Sequence, residues 1–259
     1  MIKKIVTNFV LFFLLLSIIN FSFANNVNLE KKCLMPCVKL LTSNKKSIGS
    51  GVVVKSFLMK NDRYSNVVVS CYHVTSNNKL IIEVPSLENK NEYFYGTAIY
   101  ENQEHDISIV IFSSQKEQIK ADLDLENDIS IGDDILSVGY GLSSLPKLGF
   151  GKIITQKQKE KSFKDSYFTN IPMVMGDSGG PVYKNNKLIA LSQAIRVVEW
   201  QEKLLPFPNI SVVIPIKKLA ELNKIEKGKL DFVIKKDSSP PMFPHLFLEM
   251  QEFDNILIK

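Results

Sequence analysis

The chain has little cysteine. Only Cys33, Cys37 and Cys71 occur in 259 residues, and an odd count excludes a fully paired disulfide framework within one chain. A core must therefore come from apolar packing, which this length allows. Histidine is also scarce, so imidazole chemistry is confined to His73, His105 and His245. Although the formal net charge is +5, the lysines are spread out, and no dense basic run with interleaved aromatics occurs; nucleic acid is not an expected partner. Beyond the first two dozen residues no apolar run is long enough to cross a bilayer, and no internal repeat is visible. With 45% hydrophobic and 23% charged residues, the composition is that of one or two globular domains.

What is present begins with a targeting pattern. Met1-Ile2-Lys3-Lys4 is basic, Ile5 to Ile19 is mostly apolar, and Ser22-Phe23-Ala24 places small residues at the −3 and −1 positions of a cleavage site. The segment is expected to be a signal peptide over 1–24, leaving no stable membrane span once removed and placing the protein in the periplasm or outside the cell. The alternative is an uncleaved N-terminal tether. Export permits disulfides, and Cys33–Cys37 is the expected pair, stapling a short loop.

From about Val38 the chain runs through short β-branched stretches: 52–54, 67–69, 80–84, 93–100 and 107–112. Residues 113–128 are charged and poor in β-branched residues, a linker with room for one helical turn. A second set follows at 135–138, 151–155, 167–168, 181–183, 188–195 and 211–214, and helical spacing covers 216–226. Close-set short strands predict an all-β barrel or sandwich. Lys184-Asn185-Asn186-Lys187 predicts a hairpin turn, because asparagine tolerates positive φ.

The densest signal is "MGDSGGPV", Met175 to Val182. Two adjacent glycines and a proline exclude the interior of a helix or strand and permit a sharp turn that exposes Ser178. A serine hydroxyl is a weak nucleophile and needs a base beside it, usually histidine oriented by a carboxylate. Upstream, "VVVSCYHV" carries His73 and "EHDISIVIF" carries Asp106. Alone, each has a structural reading: a turn serine, a core histidine, a strand-start cap. His105 adjoins Asp106 and would face the opposite side of a strand. Cys33, Cys37, Cys71 and His73 could also be read as four zinc ligands, but their spacing is poor and the serine motif would go unexplained.

Taken in order, these pieces resemble the chymotrypsin-like serine peptidases, in particular their exported bacterial HtrA-type branch. "GSGVVV" (Gly49 to Val54), "VVVSCYHV", "HDISIV", "ISIGDDILSVGYG", "GDSGGP" and "VVIPIKKL" are collinear with that family over roughly Val38 to Leu222. The resemblance implies two packed antiparallel β-barrels with the active site between them. The first would span 38–120 and the second, with its closing helix, 121–222; an N-terminal segment over 25–37 and a C-terminal extension over 223–259 flank them. It implies a His73–Asp106–Ser178 triad, an oxyanion hole from the amides of Gly176 and Ser178, polypeptide substrates, and no metal or organic cofactor. The specificity pocket maps to Pro172 and Met173 before the serine and to Ser192, Gln193 and Ala194 after it. No acid stands at Pro172, the pocket-base position, so an apolar or small residue is expected before the scissile bond. Aspartate at 177 is the trypsin-like choice, whereas HtrA-type members usually carry asparagine. No activation site appears that would supply a new N-terminus to Asp177, so a backbone or side-chain partner is expected for it. A catalytically inactive fold that holds a peptide in the cleft is the alternative. The tail from Asp237 to Lys259, proline-rich and then apolar, is expected to pack back onto a barrel or a partner.

Overall fold

The computed structural model describes residues 29–235, apart from 77–78, 87–89, 143–144, 156–164 and 201–202, together with Ser238. The expected signal peptide, His245 and, Ser238 apart, the tail after Lys235 lie outside the described residues. No helix among the described residues is long and apolar enough to cross a membrane.

The first β set forms six strands, β1 (Cys37–Thr42), β2 (Ser47–Leu58), β3 (Tyr64–Ser70), β4 (Leu80–Val84), β5 (Glu92–Asn102) and β6 (Ile107–Ser114). They close into an antiparallel barrel in the order β1-β2-β3-β6-β5-β4. β3 and β6 are buried almost throughout, on both faces. Runs such as Val67-Val68-Val69 and Ile109-Val110-Ile111 suit that position, since a strand covered on both sides loses the polar alternation of a surface strand. Their core is continuous with Val138, Tyr140 and Leu191 of the second half.

The second set is β7 (Asp134–Gly139), β8 (Lys147–Lys152), β9 (Tyr167–Thr169), β10 (Pro181–Lys184), β11 (Lys187–Trp200) and β12 (Lys203–Pro215). Its order is β8-β7-β10-β11-β12-β9. The expected second barrel is a curled half-barrel: its edge strands β8 and β9 form no ladder and meet at their ends, through the isolated Ile153–Thr169 bridge and hydrogen bonds such as that from the Asn170 amide to the Lys152 carbonyl (3.1 Å). Ile135, Ile153, Ile171, Val182, Ile189 and Val213 fill it. At the β10–β11 hairpin Asn185 and Asn186 take φ of 52° and 62°, as its turn requires.

Short helices complete the fold: a one-turn π-helix at Glu30–Leu34, α1 (Tyr72–Thr75), α2 (Lys218–Ile225) and α3 (Asp231–Ile234). Leu219 and Leu222 of α2 and Phe232 and Val233 of α3 join the first barrel's core. The expected helical turn in the linker is absent. That segment instead runs extended between the halves, with the Ala121 amide donating to the Val53 carbonyl (2.8 Å) and Leu123 bridging Leu188. Cys33 and Cys37 are not bonded to each other; both are free thiols, fully buried, where each packs as a small hydrophobe.

Candidate active site

Register brings the first two site residues together. β3 and β6 pair with Ser70 opposite Ser108, so the residues just past β3 and just before β6 emerge at the same end of the barrel. There the chain turns into α1, a single turn whose N-cap, Cys71, offers no side-chain cap. The cap comes from the turn that leads into the neighbouring strand, β6. Asp106 Oδ1 accepts the His73 amide at 3.0 Å and both carboxylate oxygens lie 2.9 Å from His73 Nδ1. Asp106 sits at φ 51°, in the left-handed region that aspartate tolerates better than most residues. A carboxylate acceptor fixes Nδ1 as the protonated nitrogen and leaves the Nε2 lone pair free. His105 lies half-buried in the preceding turn, its amide donating to Asn102 Oδ1 (2.9 Å).

Ser178 comes from the turn before β10. Gly176 and Gly179 take φ of 98° and 82°, and a Cβ on Gly179 would lie 2.2 Å from both the Ser50 carbonyl and Ser70 Oγ. Glycine is therefore required by conformation and by contact with the first barrel. Among the described residues, the Gly176 and Ser178 amides donate to no protein acceptor. The Ser178 hydroxyl donates to the Gln193 carbonyl at 3.0 Å rather than to His73.

Gln193 owes its place to a β-bulge. The β11–β12 register shifts between Ser192 and Ala194, leaving Gln193 as the extra residue. Its carbonyl then meets Ser178, while its side-chain Nε2 donates to Asp106 Oδ2 (3.2 Å) and its Oε1 accepts from Ser166 (3.2 Å). One bulged residue thus touches both the acid and the hydroxyl.

These groups open onto a cleft of about 360 Å³ lined by His73, Asp106, Ser178 and by Met173, Ser192, Gln193 and Ala194. Val174 and Ile195 add apolar wall. Pro172 does not line the cleft; it is exposed, while its neighbour Ile171 is buried in the half-barrel core.

Cys71, His73 and Asp106 bring sulfur, nitrogen and oxygen donors within 4.8 Å of one another, whereas Cys33 and Cys37 stand outside this group. The Cys71 thiol is fully buried and donates to the Ser192 carbonyl (3.3 Å). Burial, and then the nearby Asp106 carboxylate, push its pKa well above the ordinary thiol value, which disfavours the thiolate a metal would require.

Sequence reasoning missed two residues beside Ser178 and its turn. Ser50, fully buried on β2, crosses to the second half: its amide donates to the Ser178 carbonyl (2.8 Å), its hydroxyl donates to the Gly176 carbonyl (2.7 Å), and it accepts from the Tyr140 amide (3.0 Å). Lys147 opens β8 and pairs with Asp177 at 2.8 Å. The serine in "GSGVVV" carried a signal for Ser50; nothing marked Lys147 among its neighbours.

The trypsin-like peptidase domain family matches residues 49–191 of this chain. No curated protein matches it. Among solved structures, an HtrA-type protease, AlgW, in a variant form with a tripeptide is similar over 81% of this chain and 64% of its own, at 17% identity and a TM-score of 0.62. AlgW with a decapeptide matches over 78% and 68%, at 16% identity and a TM-score of 0.60. A serine endoprotease from Yersinia pestis matches over 78% and 65%, at 14% identity and a TM-score of 0.58. The chain thus spans roughly two thirds of the length of these structures, and the likeness extends to the chymotrypsin-like fold.

Proposed function

The chain belongs to the trypsin-like peptidase family, and on that premise we propose that it is an exported serine endopeptidase acting on polypeptides through His73, Asp106 and Ser178. Ser178 Oγ attacks the scissile carbonyl while His73 Nε2 takes its proton. The oxyanion that forms receives the Gly176 and Ser178 amides. His73 then protonates the leaving amine, which departs and leaves an acyl ester on Ser178. Water, deprotonated by the same imidazole, releases the acid and restores the hydroxyl. Asp106 keeps its charge throughout and holds the tautomer in which Nε2 is the base.

The observation that carries this reading is the cleft itself, where a carboxylate-oriented imidazole and a serine line one space, next to the Gly176 and Ser178 amides, which donate to no acceptor among the described residues. Attack requires Ser178 to turn its hydroxyl from the Gln193 carbonyl toward His73, a rotation about one side-chain bond; catalytic hydrogen bonds often form only with substrate present. Met173, Val174 and Ile195 form an apolar part of the cleft wall, and the two acids that line the cleft, Asp106 and Asp177, are engaged by His73 and Lys147, which supports an apolar or small residue before the scissile bond. The export assignment rests on the signal-like pattern of residues 1–24.

The Ser178–Gln193 bond favours the second reading, an inactive fold that only holds a peptide. A fluorophosphonate probe separates the two. Covalent labelling of the wild type that disappears in Ser178→Ala is the expected result, and absence of labelling in well-folded wild type refutes the peptidase.

A further inference from the structure

Asp177 is an acid enclosed beside the nucleophile, with only 5% of its surface exposed. Its Oδ1 accepts the Gly141 amide (2.8 Å), and its Oδ2 accepts the Val174 amide (2.8 Å) and the Lys147 ammonium (2.8 Å). The space for this carboxylate is built in. A Cβ on Gly139 or on Gly141 would lie 2.5 Å from Asp177 Oδ1. The Asp177 amide in turn closes on the Val174 carbonyl (3.1 Å), so backbone and side chain of one residue tie off both ends of the turn Val174–Asp177. Gly176, with φ 98°, lies inside that turn, and Ser178 follows it directly. The direction of both unpartnered amides is thus set by where the Asp177 carboxylate rests.

A carboxylate this enclosed is costly to leave without a counter-charge, and one stripped of it would rotate toward water. Among the described residues Lys147 alone forms an ion pair with Asp177. Its position follows from register, since Lys147 stands opposite Gly139 at the hairpin-loop end of the β7–β8 ladder. We propose that Lys147 is a positioning residue which, through Asp177, holds the Gly176 and Ser178 amides aimed at the developing oxyanion. This inference rests on the peptidase reading of the cleft and deepens it. The cation comes from the same sheet as the turn, so the oxyanion hole assembles when that sheet folds and awaits no cleavage elsewhere in the chain.

The test is a double-mutant cycle on the full chain with Lys147→Met, Asp177→Asn and the double variant, plus Lys147→Arg as the conservative change. Lys147→Met keeps the aliphatic stem and removes the charge. The expected result is a fall in kcat of about 10²-fold, within the range for loss of one oxyanion donor, with KM changed less than about threefold. Affinity for a peptide aldehyde, which forms an oxyanion on Ser178, should fall in parallel, and Lys147→Arg should stay within about tenfold of wild type. In the Asp177→Asn background, removing the lysine charge should cost less than about threefold, since no buried charge then needs it. A folded Lys147→Met with kcat within threefold of wild type overturns the proposal, as do losses that multiply across the cycle. Amide hydrogen exchange supplies a readout independent of turnover. The Gly141 and Val174 amides, both bonded to Asp177, should exchange at least about tenfold faster in Lys147→Met. Unchanged exchange overturns the proposal even if the wild type proves inactive, whereas failure of the fluorophosphonate labelling refutes the peptidase reading alone. Should Lys147→Met not fold, the Asp177→Asn single and double variants carry the comparison: near-equal kcat supports the link and a further large loss refutes it.

Discussion

Ser50→Ala is the sharpest test of how the two halves are held in register around Ser178. The Ser50 hydroxyl is fully buried, donating to the Gly176 carbonyl at 2.7 Å and accepting from the Tyr140 amide at 3.0 Å. Alanine keeps the strand and the Ser50 amide bond to the Ser178 carbonyl but strips both partners from the side chain. A buried polar group left unpaired costs about 1–3 kcal/mol. The Tyr140 amide incurs that in full, and the Gly176 carbonyl, nearer the cleft, the lower end. The expected loss is about 2–4 kcal/mol, which for a chain of this size lowers Tm by about 5–15 °C. Ser65 provides the control, because its hydroxyl is equally buried yet has no hydrogen-bond partner among the described residues. Ser65→Ala should fall within about 0.5 kcal/mol of wild type or stabilise slightly, since it removes an unsatisfied group at little cost in volume. Urea titrations of the three proteins at fixed pH give the comparison through the midpoint and slope. Equal losses at the two positions, or a Ser50→Ala loss below 1 kcal/mol, would refute the bridge as a stabilising element.

Three further outcomes follow from the same geometry. Asp106→Asn should keep the fold, because an amide oxygen can still accept the His73 amide, yet lower kcat/KM by about 10⁴ through the wrong imidazole tautomer; a loss below tenfold in peptide turnover would remove Asp106 from that role. Under reducing conditions stability should be greatest below pH 9 and fall above it. Burial raises the Cys37 and Cys71 thiols well above 9.0 and Cys33 to about 11, so the unfolded chain releases protons first as pH rises. Each deeply buried thiol adds a slope of up to about 1.4 kcal/mol per pH unit, and denaturation midpoints that stay flat from pH 8 to 10.5 would contradict it. Gly179→Ala should abolish soluble folded protein, with its Cβ 2.2 Å from the Ser50 carbonyl, whereas Gly132→Ala, at φ 89° with open space around it, should cost only about 1–2 kcal/mol; similar yields and Tm values for both would count against the tight seam.

Strands were legible where the side chains themselves favour a pleated, buried surface. Residues 80–84 coincide with β4 and 107–112 lie within β6, both rich in isoleucine and valine. β8 was not. The spacing predicts a strand at 151–155, yet the ladder runs Lys147–Lys152 through two glycines, because pairing with β7 decides where it lies. α1 was hidden for a related reason. Nothing local caps it, and the carboxylate that does stands 33 residues away. Cys33 and Cys37 mislead in the opposite direction: spacing and an export signal favour a staple, while the fold buries each thiol among apolar neighbours.

The site divides along the same line. That His73, Asp106 and Ser178 would meet at one cleft was legible because each sits in a short stretch that is collinear with the family's pattern. Their support was not, because it is made of ordinary residues that acquire a task only through register. Gln193 meets Asp106 and Ser178 because a bulge turns one residue out of the β11–β12 ladder. Lys147 meets Asp177 because it starts the strand that pairs with Gly139, and a one-residue slip would send its side chain to the other face of the sheet. The same logic separates Pro172 from the cleft. Counting back from the serine reaches it, but the chain at Ile171 is drawn into the half-barrel core, where its carbonyl accepts from Ser211 at 2.8 Å, so the wall is formed by the residues after it, Met173 and Val174. On the proposed peptidase reading, specificity is therefore to be sought by varying Met173, Val174 and Ile195, and the alignment of the proposed oxyanion amides by varying residues outside the cleft, such as Lys147.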